Sequence, residues 1–174
     1  MGRDLKPYPS IALGAQEVTP IDAAAAFSIF ANGGIRPRPH AVRAVADGKG
    51  NLLERSRPTL EKVLSPQAAY LTLDLMRGVV DRGTAASLRG HGIAGDVAGK
   101  TGTTNDKRDA WFIGFRPDLL VLVWVGFDDG AETHLTGAQG ALPIWEDFMR
   151  SAGEDASEEA IARFRREAEA VGLP

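Results

Sequence analysis

Four residues near the middle of the sequence, Lys100-Thr101-Gly102-Thr103, combine a cation, two hydroxyls and one position without a side chain. Two chemistries fit that set. One is phosphate binding: Ala94, four intervening residues and Gly99-Lys100-Thr101 stand one residue away from the phosphate-loop signature. The other is a strand that faces a substrate, with glycine where a ligand or a second backbone must come close.

The neighbours favour the strand. A phosphate loop needs an apolar strand before it and a helix opening directly after it, so that backbone N–H groups cradle the phosphates. Here "SLRGHGI" precedes and "GTTNDKRDAW" follows, and neither is the required element. Ala94 replaces the first glycine of the signature. "VWVGFDD" imitates a metal-binding acidic strand end, but two adjacent aspartates at a strand end are commonly a turn. A nucleotide-binding protein remains the weaker alternative.

The elements that must hold this strand are readable on both sides of it. "PYPSIALGAQ" is rich in proline and glycine and predicts an extended entry loop. Thr19 as N-cap, Pro20 at the first position and Asp22 in the first turn open a helix. Its run of alanines with Ile21, Phe27, Ile29 and Phe30 is apolar on nearly all sides and predicts burial, and Asn32-Gly33-Gly34 stops it. Residues 35–55 read as one hairpin turning at Asp47-Gly48-Lys49-Gly50, with prolines suited to an exposed edge. Ser65 caps a second helix in which Leu71, Leu75 and Val79 line one face, with Tyr70 and Met76 beside it. The Gly-rich stretch 81–99 predicts a short helix. "DAWFIGFRP" and "LLVLVWVGFDD" are strands, the second apolar on both faces as for a central strand. "LPIWEDFMRSAG" predicts a helix with Pro143 in its first turn. Residues 151–174 are a charged C-terminal tail in which 155–172 predict an amphipathic helix, opened by Asp155 with Glu158 and striped by Ile161, Phe164, Ala168 and Val171.

Four stretches in this order, "PYPSIALGAQEVTPIDAAAAFSIFANGG", "GTA" at Gly83 to Ala85, "AGKTGTTNDKRDAWFIGFRPDLLVLVWVGFDD" and "TGAQGALPIW", resemble the penicillin-binding transpeptidase domain of the bifunctional class A peptidoglycan synthases. The resemblance covers residues 1–150 as the C-terminal portion of such a domain. It implies an α+β fold of the serine β-lactamase/penicillin-binding class, an antiparallel sheet flanked by helices. It also implies an activity: a serine is acylated by a D-Ala-D-Ala peptide, and a second peptide's amine takes the acyl group to form a cross-link. Penicillin imitates the donor and leaves a long-lived acyl-enzyme.

Carried over by motif, Lys100 is the cation that favours the substrate's terminal carboxylate and biases nearby proton equilibria. Thr101 and Thr103 would donate hydrogen bonds to that carboxylate. Gly102 would keep the strand bare so that substrate lies alongside as an added strand. The Thr103 N–H matches one oxyanion-hole donor, the other belonging to the nucleophilic serine. Lys100 and Thr103 are thus the expected catalytic groups, and Thr101, Gly102, Thr103 and Thr104 the substrate-binding ones. Thr104, Asn105, Asp109 and Trp111 match the extended signature, as positioning groups for the strand and its turn. The nucleophile itself requires Ser-x-x-Lys, one helical turn bringing an amine to the hydroxyl. The residues three beyond Ser10, Ser28, Ser56, Ser65, Ser87, Ser151 and Ser157 are Leu13, Ala31, Thr59, Ala68, Gly90, Glu154 and Ala160, and none is lysine. Nor does any serine have asparagine two positions on. In the family both elements lie upstream of the matched region.

Composition narrows the partners. The 174 residues are 44% hydrophobic and 25% charged with net charge −3, as in an ordinary soluble domain, and no basic run with interleaved aromatics suits nucleic acid. Cysteine is absent, which removes disulfides, thiolate metal sites and a cysteine nucleophile. His40, His91 and His134 lack metal-ligand spacing. No run is long and apolar enough to span a bilayer, and no signal-peptide core is present. The expected partners are peptidoglycan stem peptides and β-lactams, with no cofactor and no metal. A split sheet would leave apolar surface, so either a homo-oligomer or a companion N-terminal fragment carrying the serine is expected. The resemblance places such a protein on the outer side of the bacterial cytoplasmic membrane. A peptidoglycan-peptide binding module without turnover is the second interpretation.

Overall fold

The structure is a computed structural model, and it describes residues 7–14 and 16–152. The expected tail helix over 155–172 lies outside the described residues. Pro9–Leu13 form a 3₁₀ turn where an extended loop was expected; Gly14 ends it with φ 75°, and its N–H reaches back to Ile11 O. Helix α1 (Pro20–Ala31) begins as its sequence requires, with the Asp22 N–H donating to Thr19 Oγ1 at 3.2 Å. It is not a buried helix, however. Only Ala23 and Ile29 are buried, Phe27 and Phe30 are half-buried, and Ile21 is exposed. Apolar residues all round a helix fill a core only where other elements cover every face, and among the described residues part of α1 is left uncovered.

Residues 35–62 are two nested ribbons and not one hairpin. Strand β1 (Ile35–Pro37) pairs antiparallel with β4 (Leu60–Lys62), and β2 (Ala44–Ala46) pairs with β3 (Leu52–Arg55) inside it. The inner turn is tied by Asp47, whose carboxylate accepts from Lys49 N, Asn51 N and Asn51 Nδ2, each at 2.8 Å. Beyond Pro37 the Arg38 N–H still donates to Thr59 O at 2.9 Å, extending the outer ribbon by one bond.

Helix α2 (Pro66–Arg82) is capped by Ser65, which accepts from Ala68 N at 3.2 Å. Its buried line is Ala69, Met76 and Val80. Tyr70, Leu71 and Leu75 face outward, so of the expected stripe only Val79 packs, against the core around Val80. A short helix α3 (Ser87–Gly90) leads into a three-stranded antiparallel sheet of β5 (Ala98–Thr103), β6 (Ala110–Phe115) and β7 (Leu120–Val125), in the order β5-β6-β7. The expected central strand is therefore at an edge among the described residues. The centre is β6, where Phe112 is fully buried and Ile113 and Phe115 nearly so. Helix α4 (Ala141–Ser151) closes one face of the sheet.

The sheet separates two cores. On one face Phe112, Val80, Ala85, Leu88 and Val97 meet Ala141, Leu142, Trp145 and Met149. Trp145 anchors it: its ring stands edge-on to Phe112 at 5.2 Å, and its Nε1–H donates to Gly114 O at 3.2 Å. On the other face Ala98 and Phe115 pack with Met76 of α2 and with Phe27 and Phe30 of α1. The antiparallel sheet with helices on both faces is the α+β architecture expected from the sequence.

Candidate substrate-binding site

Lys100, Thr101, Gly102 and Thr103 are four consecutive residues of β5, which pairs with β6 on one side and with no strand on the other among the described residues. The turn after β5 determines which backbone groups face that unpaired edge. Thr104 N–H donates to Asp109 O at 3.1 Å, making Thr104 and Asp109 a hydrogen-bonded pair. Such pairs alternate along an antiparallel ladder, so Gly102 opposite Trp111 and Lys100 opposite Ile113 also turn their backbones toward β6. Thr101 and Thr103 then direct N–H and C=O to the outer edge. The Lys100 ammonium agrees with that direction: it donates to Thr101 O at 2.7 Å, curling round the edge from its own face of the sheet.

Side chains alternate across the pleat, so the Thr101 and Thr103 hydroxyls share one face and Lys100 projects from the other. Both hydroxyls are already engaged from behind. Thr103 Oγ1 accepts from Gly137 N–H at 3.0 Å, which leaves its own O–H to donate elsewhere. Thr101 Oγ1 lies 2.8 Å from Thr84 Oγ1. Gly102 sits where a Cβ would come to 3.1 Å from Trp111 Cβ, so a side chain there would press on the neighbouring strand.

Thr104 is placed differently from the other three predicted site residues with side chains. Its hydroxyl donates to Asp109 Oδ2 at 3.0 Å and accepts from Asp109 N at 2.8 Å, so both functions are spent inside the turn. Asp109 Oδ1 in turn accepts from Trp124 Nε1 at 2.8 Å. The Thr104, Asp109 and Trp111 positions expected to hold the turn are thus joined to β7 through Trp124, whose ring centre is 6.1 Å from that of Trp111. Asn105 opens the 3₁₀ turn Asn105–Lys107, in which Asp106 (φ 59°) and Lys107 (φ 51°) are left-handed. Lys107 O accepts from Thr133 N at 2.9 Å and Thr133 Oγ1 at 2.6 Å, fastening this turn to the segment before α4.

Thr84 and Gly137 stand in the "GTA" and "TGAQGALPIW" stretches but have no role assigned from the sequence, and Thr133 lies outside them. They come from segments distant in sequence, and only the pairing of folded segments brings them to β5. Gly137 carried a signal in retrospect. A Cβ there would lie 2.6 Å from Gly102 O and would clash with Trp111 O, so only glycine lets this segment touch both strands.

Charge is arranged at the other end of β5. Arg77 of α2 grips Asp96 through Nε at 2.7 Å and Nη2 at 2.6 Å. Hydrogen bonding from Arg77 holds the Asp96 carboxyl below its usual range, and Asp96 raises Arg77 in return. On α4 the largely buried Glu146 meets His91 Nδ1 at 2.9 Å and Arg150 Nη2 at 2.5 Å. Asp129 accepts from Ala131 N at 3.0 Å in a turn, and no group of three or more metal-ligating side chains gathers among the described residues. A phosphate-loop role does not fit Lys100. Its segment is a strand, and no helix begins at Thr101.

A family profile described as "Penicillin binding protein transpeptidase domain" matches residues 7–149. The chain is 44% identical over 149 residues to penicillin-binding protein 1A of Aquifex aeolicus, covering 84% of this chain and 20% of that relative. Penicillin-binding protein 1B of Vibrio cholerae is 37% identical over 147 residues, covering 84% of this chain and 19% of the relative. The chain thus spans about a fifth of the length of the curated relatives it matches. Among solved structures, penicillin-binding protein 1A from Haemophilus influenzae superimposes with a TM-score of 0.78 at 26% identity, covering 86% of this chain and 28% of that one. Penicillin-binding protein A from M. tuberculosis, solved as a penicillin G acyl-enzyme complex, gives a TM-score of 0.63 at 28% identity, covering 84% and 36%.

Proposed function

The chain belongs to the penicillin-binding protein transpeptidase family, and from that premise we propose that it forms the carboxylate-binding wall of a D-Ala-D-Ala transpeptidase site. The observation that carries this is the edge of β5. There the Lys100 ammonium and the backbone N–H and C=O of Thr101 and Thr103 all face one unpaired line. An extended peptide fits along it as an added strand. Its terminal carboxylate meets the ammonium and the Thr101 and Thr103 hydroxyls, and the Thr103 N–H faces the carbonyl oxygen on which negative charge develops. Gly102 leaves the strand flat for that approach, and Thr104 contributes by holding the turn.

The serine that would attack, with its lysine three residues on, is not among these 174 residues. In the longer protein of this kind, the serine gives its proton to the neighbouring amine and its oxygen bonds to the penultimate D-Ala carbonyl carbon; the amide to the last D-Ala breaks, and the proton passes to its nitrogen, releasing it as an amine. An acceptor amine then displaces the serine and closes the cross-link. Peptidoglycan peptides and β-lactams are the proposed ligands, and the outer side of the cytoplasmic membrane the proposed location. No described helix is long and apolar enough to cross a membrane.

Incubation with a fluorescent penicillin, followed by denaturing electrophoresis, tests the assignment of roles. The chain alone is expected to give no covalent band, and a chain extended through a Ser-x-x-Lys is expected to give one. A band from the 174-residue chain would show that a nucleophile sits within it. A peptide-binding module without turnover is the second interpretation. An extended chain that binds the peptide but never acylates would select it.

A further inference from the structure

We propose that Thr84 is a positioning residue for the carboxylate site, setting the direction in which the Thr101 hydroxyl donates. This rests on the function proposed above and adds a residue to it. Thr84 Oγ1 and Thr101 Oγ1 are 2.8 Å apart, a hydrogen bond between two hydroxyls. Two hydroxyls own two hydrogens, and their mutual bond consumes one. Either oxygen can donate in that bond, so the pair offers one O–H outward, and with Thr84 as the donor it is that of Thr101. Thr103 offers another, because Gly137 N–H occupies its acceptor side. A carboxylate with two oxygens is matched by these two donors and the Lys100 charge beside them.

Thr84 is built to hold its place although it is exposed. Gly83, just before it, lies so close to α2 that a Cβ would come to 2.8 Å from Val79 Cα and 2.9 Å from Val79 O. Ala85, just after it, is fully buried and donates its N–H to Val79 O at 3.0 Å. The residue is clamped on both sides by neighbours fixed against the same turn of helix. Its backbone cannot drift from β5 without unseating Ala85 from the core that holds Phe112 and Trp145, which keeps the Thr84 side chain within reach of Thr101. A hydroxyl bonded on one side is a better-oriented and more polarised donor on the other.

The test uses the 174-residue chain and two acetylated dipeptide probes, D-Ala-D-Ala as the free acid and as its C-terminal amide, titrated by NMR shifts. The unaltered chain is expected to bind the acid more tightly than the amide. Thr84→Val is expected to weaken the acid roughly two- to tenfold, the range of one net hydrogen bond, and to leave the amide unchanged. Thr84→Ser is expected to restore the acid, and Thr84→Val added to Thr101→Val is expected to have no further effect. If Thr84→Val keeps the acid preference, or weakens both probes alike, the positioning role is wrong while the site stands. If the unaltered chain shows no preference for the acid, the carboxylate site is wrong and the role of Thr84 goes with it.

Discussion

The amide of Gly137 donates to the hydroxyl of Thr103 at 3.0 Å across 34 positions of sequence. This bond joins the segment leading into α4 to the strand that carries the proposed ligand contacts. It also settles what the hydroxyl can do, since an oxygen already accepting on one side presents its hydrogen on the other.

Gly137→Ala tests that contact. The added Cβ would clash with Trp111 O and stand 2.6 Å from Gly102 O, and neither backbone atom can yield without moving a strand. The expected cost is about 1–3 kcal/mol, as for overpacking elsewhere in a core. Thermal melts should show the loss, and the amide signals of Gly102 and Thr103 should shift most. An unchanged melt would mean that the segment does not press on β5.

Lys100→Met separates charge from fold. Lys100 is exposed, and its recorded partner is the Thr101 carbonyl. Stability should hold within about 0.5 kcal/mol. Affinity for a carboxylate-terminated peptide should fall about tenfold at low ionic strength, and by less in strong salt. Titration at two salt concentrations reads both. A salt-independent loss would point to packing and not to charge.

Trp145→Ala should be the most damaging single change in the sheet's core. The ring is fully buried, stands against Phe112 and donates to Gly114 O. A loss of about 3–5 kcal/mol is expected, readable as a lowered midpoint in urea. Trp145→Phe should cost less, though it leaves Gly114 O without its second partner.

The stability of the chain should fall in acid partly through Asp96. Its carboxyl is depressed in the folded state by the Arg77 hydrogen bonds. The stability it contributes is therefore complete above the unfolded carboxylate value of about 4, and is lost as pH falls through the lower folded value. Both partners are accessible to solvent, so the contribution is about 0.5–1 kcal/mol. Asp96→Asn should remove that much at pH 7 and flatten the decline between pH 5 and pH 2. A variant that keeps the full acid slope would assign the decline to other groups, Asp47 among them, whose carboxyl is lowered chiefly by the Asn51 side chain.

Association should run through α2. Tyr70, Leu71 and Leu75 are respectively 59%, 66% and 72% exposed on a helix whose opposite side is packed. We expect the chain to self-associate or to take up a companion segment there. Leu71→Glu with Leu75→Glu should shift sedimentation toward monomer with little change in melting. A monomer before substitution would remove the expectation.

Much of this molecule was readable from local chemistry. Thr19 and Ser65 announced their helices because a cap bond needs only residues three apart, and the Lys-Thr-Gly stretch announced its strand through the residues around it. What could not be read was the packing of elements against one another. The apolar surround of α1 and the leucines of α2 look like core when taken alone, yet burial depends on what else arrives. Likewise the pairing of β1 with β4 skips a whole ribbon, and no residue in Ile35–Pro37 names its partner. In the proposed site, Lys100, Thr101 and Thr103 drew attention by type, and the structure places all three on β5. Thr84 and Gly137 lie in the "GTA" and "TGAQGALPIW" stretches, but no role could be given them until folding brought β5 to their side.

The link from Gly137 to Thr103 has a consequence for the order of events during folding. The β5–β6 ribbon closes through a turn of six residues, Thr104 to Asp109, and needs nothing remote. The donor that orients the Thr103 hydroxyl comes from far along the chain, and closing that longer loop is slower. We expect the strand to exist before it can hold a carboxylate firmly. In a refolding time course, amide protection in β6 should precede recovery of ligand affinity. Binding competence would then be a late property, gained when the segment before α4 docks.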